Sequence, residues 1–146
     1  MSTIDATSSN TGSLTIPRGY TFLSNQIDNR AYSFVAIEDT TVSKTANNFV
    51  FENVNIYEGQ YVTYNYVHSE TSNPKQVYSI PDESVDTSTL KVSVRASSSN
   101  TDVNVYSLVT DALSVTANSE VYYLQEGQDG KYQVYFGDNV LGKKLN

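Results

Sequence analysis

The sequence predicts an all-β protein, with short strands forming an antiparallel β-sandwich or a partly open barrel and little or no helix. Residues that fit a half-buried pleated surface are abundant, including 12 Tyr and 5 Phe. Short apolar runs recur about every ten residues with turn signals between them, as in sandwiches and barrels. No strand–helix–strand alternation is visible, which argues against a parallel α/β sheet.

The chain divides into a polar arm and a β-rich region. Residues 1–13 are rich in Ser, Thr and Asn and show no apolar periodicity, so we predict a flexible N-terminal arm. We predict that residues 14–146 form one β-rich domain, or two small β subdomains divided near residues 82–89. A chain of this length can bury a core without disulfides.

The first strands are short and separated by turn residues. We predict them near residues 14–16, 20–23, 32–37 and 40–43. Pro17-Arg18-Gly19 predicts the first turn, because proline fixes φ and glycine accepts a positive φ. Asp28-Asn29 predicts the turn before the third strand.

Residues 61–68, with the sequence YVTYNYVH, predict a further strand. Successive side chains of a strand point to opposite faces, so this segment has two faces. We expect the core-facing set to be Val62, Tyr64, Tyr66 and His68, with His68 near the rim.

Two hairpins are predicted in the second half of the chain. Residues 90–95 and 102–106 alternate apolar and polar residues around a Ser- and Asn-rich turn. Residues 121–125 and 131–136 flank Gly127-Gln128-Asp129-Gly130, and Asp-Gly is a strong hairpin signal. A strand is also expected at residues 77–80. Residues 107–119 predict a loop or extended segment with room for one helical turn.

Charge and composition argue against several classes of partner. The formal net charge of −7 repels phosphate backbones, so we expect no nucleic-acid binding. No apolar run approaches the roughly 20 residues of a membrane span, and no basic amphipathic stretch favours a membrane surface. The chain has no cysteine, which excludes disulfides, thiolate catalysis and cysteine-based zinc sites.

No catalytic or cofactor-binding motif stands out, so we predict no enzyme activity, catalytic residue, cofactor, metal or small-molecule substrate. His68 is the single histidine, and no nucleophile-elbow sequence accompanies it. A histidine beside a Tyr-rich strand is expected to make one hydrogen bond at the rim of the core. Carboxylate pairs for glycoside chemistry are candidates by residue type only: Glu38-Asp39, Asp82-Glu83 and Glu126.

The tyrosines are the remaining functional signal. Tyr64, Tyr66 and Tyr123 are the candidate interface residues, because the segments around them carry apolar or aromatic groups on both faces. Such tyrosines can bind a partner protein or form a platform for sugars. They can also be core residues or cross-strand pairs within the sheet.

Three stretches carry a family resemblance: SLTIPRGYTFLS with YSFVAIED, then YSIPDESVDTSTLKVSV, and VYYLQEGQDGKYQVYFGDNVLGKKL. Together they resemble the baseplate wedge protein of T-even-type contractile-tailed phages, within the baseplate-J-like family. The third is the most specific and contains the turn motif Phe136, Gly137, Asp138 and Gly142. Asn139 stands where the family often has glycine, and asparagine tolerates left-handed backbone geometry.

The resemblance implies a structural virion protein of the tail baseplate, assembled in the host cytoplasm. Its partners would be other wedge subunits and copies of itself, forming a ring around the tail hub that rearranges on contraction. The motif residues would then define a turn of the fold. Family members are several times longer, so the resemblance also implies that this chain is a fragment.

Two other hypotheses stay open on the sequence. A carbohydrate-binding adhesin or tail-fibre domain would use surface tyrosines such as Tyr64 and Tyr123 to bind glycan. A glycoside-active enzyme would use a carboxylate pair. Independently, Gly137→Val is expected to destabilise the end of the last hairpin if Gly137 has a positive φ.

Overall fold

The computed structural model describes residues 12–26, 28–46 and 48–146. Within these residues, ten β-strands and two 3₁₀ turns make up the regular secondary structure, which confirms the all-β class. The 3₁₀ turns are Thr87–Thr89 and Ala112–Ser114. Nearly all of the predicted N-terminal arm, residues 1–11, lies outside the described residues. No helix in the described part is long and apolar enough to cross a bilayer.

The chain forms two compact units, Met1–Thr63 and Tyr64–Asn146. The alternative prediction of two β subdomains put their boundary near residues 82–89, and this segment lies inside the second unit. The segment is a loop on the second unit that includes the Thr87–Thr89 turn, which Asp86 begins by accepting a hydrogen bond from the Ser88 amide at 2.9 Å.

The first unit contains a two-stranded ribbon and a three-stranded antiparallel sheet. Its strands are β1 (Ser13–Ile16), β2 (Thr21–Leu23), β3 (Ser33–Ala36), β4 (Thr40–Ser43) and β5 (Ile56–Glu58). The ribbon pairs β1 with β4, and the sheet has the order β2-β3-β5. The four strands predicted at its start are confirmed. Its buried apolar residues are Ile16, Val35, Ala36 and Phe49.

The Pro17-Arg18-Gly19 turn has the predicted backbone form, with φ of +84° at Gly19. The Gly19 amide donates to the Ala36 carbonyl at 2.8 Å, and the Arg18 amide donates to Asp39 Oδ1 at 2.7 Å. The Arg18 guanidinium lies 5.3 Å from the centre of the Tyr61 ring, within cation–π range. These contacts tie Tyr61 to the turn.

The second unit is built on one five-stranded sheet with the order β6-β10-β9-β8-β7. The strands are β6 (Val77–Ser79), β7 (Val92–Val94), β8 (Asn104–Leu108), β9 (Val121–Glu126) and β10 (Tyr132–Phe136). The hairpins β7–β8 and β9–β10 confirm both hairpin predictions. The pairing of β8 with β9 is parallel. Parallel neighbours need a crossover of about a dozen residues, which residues 109–120 supply with their single 3₁₀ turn.

One face of this sheet holds the core of the second unit. The buried cluster consists of Ile80, Tyr106, Tyr122, Val134 and Leu145. The Phe136 ring joins it, edge to face with the rings of Tyr78 and Tyr106 at centroid distances of 5.8 and 5.4 Å. Edge-to-face pairs at this spacing are favourable beyond the area that they bury.

The strand predicted at residues 61–68 is wrong, and so is its core-facing set. Val62, Tyr64 and Tyr66 are 53%, 39% and 50% exposed, and only His68 is half-buried. Among the described residues, no backbone–backbone hydrogen bond joins residues 60–67 to another segment. β-propensity measures fit to a pleated sheet, so a sequence rich in Tyr and Val forms a strand only where a neighbouring strand is present.

Gln76 anchors the C-terminal segment inside the second unit. Its side chain is 2% exposed; Nε2 donates to the Leu145 carbonyl, and the Leu145 amide donates to Oε1, both at 2.9 Å. The side-chain amide thus satisfies both backbone groups of Leu145, as a paired strand would. Leu145 can therefore enter the core without leaving buried backbone groups unpaired.

Gln76→Leu is expected to destabilise the protein by about 2 kcal/mol or more, because it leaves the buried Leu145 amide and carbonyl without partners. Thermal and urea unfolding measure the change. Gln128→Leu is the matched control, since Gln128 is exposed in the β9–β10 turn and should change the unfolding free energy little. Equal effects of the two substitutions would contradict a role for the Gln76 hydrogen bonds.

Candidate assembly surfaces

The turn motif is held together by close approach of two glycines. Gly137 follows β10, and a Cβ at this position would overlap the carbonyl group of Gly142. Gly137 is not among the glycines with positive φ in the described residues; Gly142 is, at +92°. The condition stated for Gly137→Val is therefore not met, and backbone contact is what requires glycine at position 137.

Asp138 and Asn139 fold the loop through local hydrogen bonds. Asp138 Oδ1 accepts from the amides of Val140 and Leu141, both at 2.9 Å. These bonds favour the ionised form and hold the pKa of Asp138 below its ordinary value. Asn139 has a φ of +68°, and its Oδ1 accepts from the Lys144 amide at 2.9 Å. The left-handed geometry expected for Asn139 is confirmed.

The same loop is fastened to the β8–β9 crossover. The Gly142 amide donates to the Thr116 carbonyl at 3.1 Å, and the Lys143 amide donates to the Ser119 carbonyl at 2.9 Å. Lys143 Nζ pairs with Glu120 at 2.7 Å, and that hydrogen bond raises the pKa of Lys143. The pair is partly exposed, so the backbone bonds contribute more to the position of the loop.

The loop presents apolar side chains to solvent. Val140 is 70% exposed and Leu141 is 48% exposed, while Gly137 and Gly142 beneath them are buried. The contact of Gly137 with Gly142 and the hydrogen bonds of Asp138 therefore support an exposed apolar tip, whereas the Phe136 ring lies in the core. Val140 and Leu141 were not among the predicted interface residues, although two apolar residues after a Gly-Asp-Asn turn were a usable signal.

The three candidate interface tyrosines lie in different settings. Tyr123 stacks on Tyr135, with ring centroids 5.0 Å apart, and its hydroxyl donates to the Leu141 carbonyl at 3.1 Å. It is half-buried on the sheet face opposite the core and supports the loop tip. Tyr64 and Tyr66 instead lie on the unpaired segment and are exposed.

Tyr66 is fixed at its ring and its hydroxyl. The ring contacts Tyr78 at a centroid distance of 5.3 Å, and the hydroxyl donates to the Ser79 carbonyl. Burial, with a smaller effect of Tyr64, raises the pKa of Tyr66, so the hydroxyl keeps the proton that it donates. Tyr66 therefore attaches the exposed segment to the β6 edge through a side chain.

Tyr64 lines an open cleft of about 460 Å³ together with Pro81, Asp82, Glu83, Ser84 and Lys131. An aromatic ring beside carboxylates and an amine is a combination that can contact a sugar. The cleft is shallow and wide, whereas small-molecule sites usually enclose most of their ligand.

Three of the remaining chemical candidates, His68, Glu38 and Asp39, make hydrogen bonds within the protein, although the buried Nε2 of His68 has no partner among the described residues. His68 Nδ1 shares a hydrogen bond of 2.9 Å with the Tyr78 hydroxyl, the single rim contact that the sequence predicted. Glu38 accepts from Asn55 Nδ2 at 3.2 Å, and Asp39 accepts from the Arg18 amide. In the described part of the chain, no group of three or more His, Asp or Glu side chains is placed to hold a metal ion.

Fold and surfaces define an all-β module with exposed apolar and aromatic side chains on loops and on an unpaired segment. Residues 3–59 match the family model of baseplate wedge protein gp6, domain II, over less than half of the chain. The match supports a baseplate wedge family and a structural role in a phage tail baseplate. No curated protein and no solved structure is significantly similar to the chain.

Gly137→Ala is expected to destabilise the protein by about 3 kcal/mol, because its Cβ would displace the backbone of Gly142. Gly12→Ala is the matched control: a Cβ at Gly12 meets no atom within 4 Å. Denaturant unfolding of both variants tests the close approach. A Gly137→Ala variant as stable as Gly12→Ala would show that the two glycines do not need to touch.

Asp138→Asn is expected to lower the melting temperature near neutral pH, because the neutral amide accepts hydrogen bonds more weakly than a carboxylate. A lowered pKa contributes stability above the ordinary value of 3.8, and this stability is lost as pH falls through the folded-state pKa. The melting-temperature gap between wild type and variant should therefore be constant at neutral pH and shrink below about pH 4.

Asp129→Asn provides the comparison, since Asp129 accepts a single backbone bond, from Lys131 at 3.2 Å. Its effect on the melting temperature should be smaller. A melting-temperature gap for Asp138→Asn that stays constant across acid pH would contradict a stabilising role for the negative charge of Asp138.

Proposed function

We propose that the chain is a structural part of a phage tail baseplate wedge and mediates contacts between subunits in the ring around the tail hub. The observation that carries the proposal is the match of residues 3–59 to domain II of a baseplate wedge protein. On this proposal its partners are other wedge subunits and copies of itself, and it acts without catalysis, cofactor, nucleic acid or membrane.

The position of the match supports this proposal. The described residues within 3–59 include all five strands of the first unit and the Pro17-Arg18-Gly19 turn. The T-even type, the baseplate-J-like family, assembly in the host cytoplasm and the fragment status are finer parts of the same proposal, and they rest on the sequence resemblance.

The surface of the second unit gives the proposal a physical basis. Tyrosine is enriched at interface hot spots, where truncation of an anchor costs about 2 kcal/mol or more. Tyr64 and Tyr66 are exposed on a segment whose backbone makes no backbone–backbone hydrogen bond among the described residues. Val140 and Leu141 are exposed on a loop held by backbone hydrogen bonds. We propose these two surfaces as assembly contacts, with Phe136, Gly137, Asp138 and Gly142 as the support of the loop.

Location in the particle is the first test. Antiserum raised against the chain should place gold label at the tail baseplate of source particles. A blot of the same particles should show a band larger than 16.2 kDa if the chain is a fragment. Label on fibres or on a cell surface would overturn the baseplate proposal. A glycan array would then test the adhesin alternative, with Tyr64→Ala and Tyr123→Ala as the variants.

Subunit binding is the second test. Tyr64→Ala should weaken capture of purified wedge subunits about 30-fold, the equivalent of about 2 kcal/mol at a hot spot. Tyr57→Ala is the matched control because Tyr57 has similar exposure but lies on β5 of the first unit. Undiminished capture by Tyr64→Ala would remove this surface from the assembly contacts.

A further inference from the structure

The five-stranded sheet of the second unit has an outer face, on the side opposite its buried cluster. Side chains alternate between the two faces of a strand, so the neighbours of each core residue point outward. An apolar row crosses this face on β6, β10 and β9, where Val77 pairs with Tyr135 and Tyr135 pairs with Tyr123. These three side chains are half-buried, and Val105 of β8 is 52% exposed on the same face. The outer face therefore offers apolar groups to a partner.

The outer face differs in charge from the rest of the chain. The outward-facing positions of the five strands hold only Val, Tyr, Ser and Gln. The whole chain has 16 Asp and Glu residues and a formal charge of −7. Contact at these strand positions therefore places no carboxylate of this chain against a negatively charged partner.

Two basic residues stand at the β7 edge of the outer face. Lys91 precedes β7 and Arg95 follows it, and both continue the alternation of Ser93, which pairs with Val105. Both side chains are exposed, and neither belongs to an ion pair among the described residues. The apolar row thus lies beside positive charges that no described carboxylate neutralises.

Side-chain amides lie next to the apolar row. Gln125 is paired with Gln133 in the β9–β10 register, and its Nε2 donates to Gln133 Oε1 at 3.5 Å. That distance is longer than an ordinary protein hydrogen bond. The amides can exchange this weak bond for bonds to another protein, as polar groups around an apolar interface do.

We propose that the outer face is the docking surface for a different protein of the baseplate wedge, whose own surface is apolar at the centre and carries carboxylates over β7. Those carboxylates would meet Lys91 and Arg95, and complementary charge of this kind gives an interface its partner and its orientation. The docking surface deepens the proposed function, on which the identity of the partner rests, because it states the polarity and charge that the partner must have.

A second copy of the chain fits this face less well. Two outer faces packed together offer Lys91 and Arg95 no carboxylate at any strand position, so the positive charges stay unmatched. A head-to-tail contact with an acidic surface of another copy would leave one outer face open, so that further copies add. Self-association through this face is therefore a result that contradicts the proposal.

Titration of each purified wedge subunit onto the intact chain tests the charges. Lys91→Glu/Arg95→Glu should weaken binding of the cognate subunit at least tenfold, the equivalent of about 1.4 kcal/mol. Lys44→Glu/Lys75→Glu is the matched control, because it changes the net charge equally at exposed lysines outside the sheet. Added salt should weaken wild-type binding more than binding of the Lys91→Glu/Arg95→Glu variant, since salt screens exposed charges.

Val105→Thr tests the apolar part of the face. It removes a methyl group and keeps a β-branched side chain in β8, so the strand should persist. Affinity should fall about fivefold, the equivalent of about 1 kcal/mol. Val50→Thr is the control, since Val50 is 48% exposed on the first unit. All substituted side chains are exposed, so melting temperatures should stay close to wild type and separate binding from folding.

Three results would overturn the proposal. The first is no binding of any wedge subunit to the wild-type chain at concentrations up to about 100 μM. The second is an equal loss of affinity in the Lys91→Glu/Arg95→Glu variant and its control. The third is self-association of the wild-type chain in sedimentation equilibrium that Lys91→Glu/Arg95→Glu abolishes.

Gold labelling decides the proposed function separately. Label at the baseplate together with undiminished binding by Lys91→Glu/Arg95→Glu would keep the proposed function and remove the docking surface. Label elsewhere would overturn the proposed function, and a wedge subunit as the partner with it.

Discussion

The second unit depends on the close approach of Gly137 and Gly142. This contact lets the chain reverse just after β10 and return along the β8–β9 crossover, where the backbone bonds to Thr116 and Ser119 fix it. The returning segment then places Leu145 in the core, and Gln76 satisfies its backbone. A side chain at position 137 would displace the Gly142 backbone and so weaken the packing of Leu145 in the cluster around Tyr122 and Val134.

Three features of the second unit satisfy or protect backbone groups that no neighbouring strand pairs. The Gln76 side-chain amide hydrogen-bonds the backbone of Leu145, and the Tyr66 hydroxyl donates to the Ser79 carbonyl on β6. Charged residues flank the edge strand β7. In the part of the chain that the structure describes, residues 61–67 combine a strand-like composition with backbone groups that make no backbone–backbone hydrogen bond.

The family match and the sequence resemblance emphasise different parts of the chain. The resemblance was most specific in the C-terminal motif around Phe136 and Gly137, whereas the family model matches residues 3–59. The first stretch of the resemblance, with SLTIPRGYTFLS and YSFVAIED, lies inside the matched range. The family match therefore bears on the first unit, and the surfaces proposed for assembly in the second unit rest on their own geometry.

The sequence by itself determined the features that depend on neighbouring residues. The four early strands, both hairpins, the Gly19 turn, the left-handed Asn139 and the single hydrogen bond of His68 follow from local alternation, turn chemistry and residue type. The candidate tyrosines were identified by type alone, and the sequence did not distinguish Tyr123, which supports a loop, from Tyr64 and Tyr66, which are exposed.

Tertiary structure decided what depends on distant partners. The parallel pairing of β8 with β9 brings together residues that no hairpin joins. Gln76 hydrogen-bonds Leu145, which lies 69 positions away in the sequence. Gly137 is required because Gly142 lies against it, a contact that no property of position 137 reveals. Residues 61–68 have the composition of a strand but form none, because a strand exists only where another backbone supplies its hydrogen bonds.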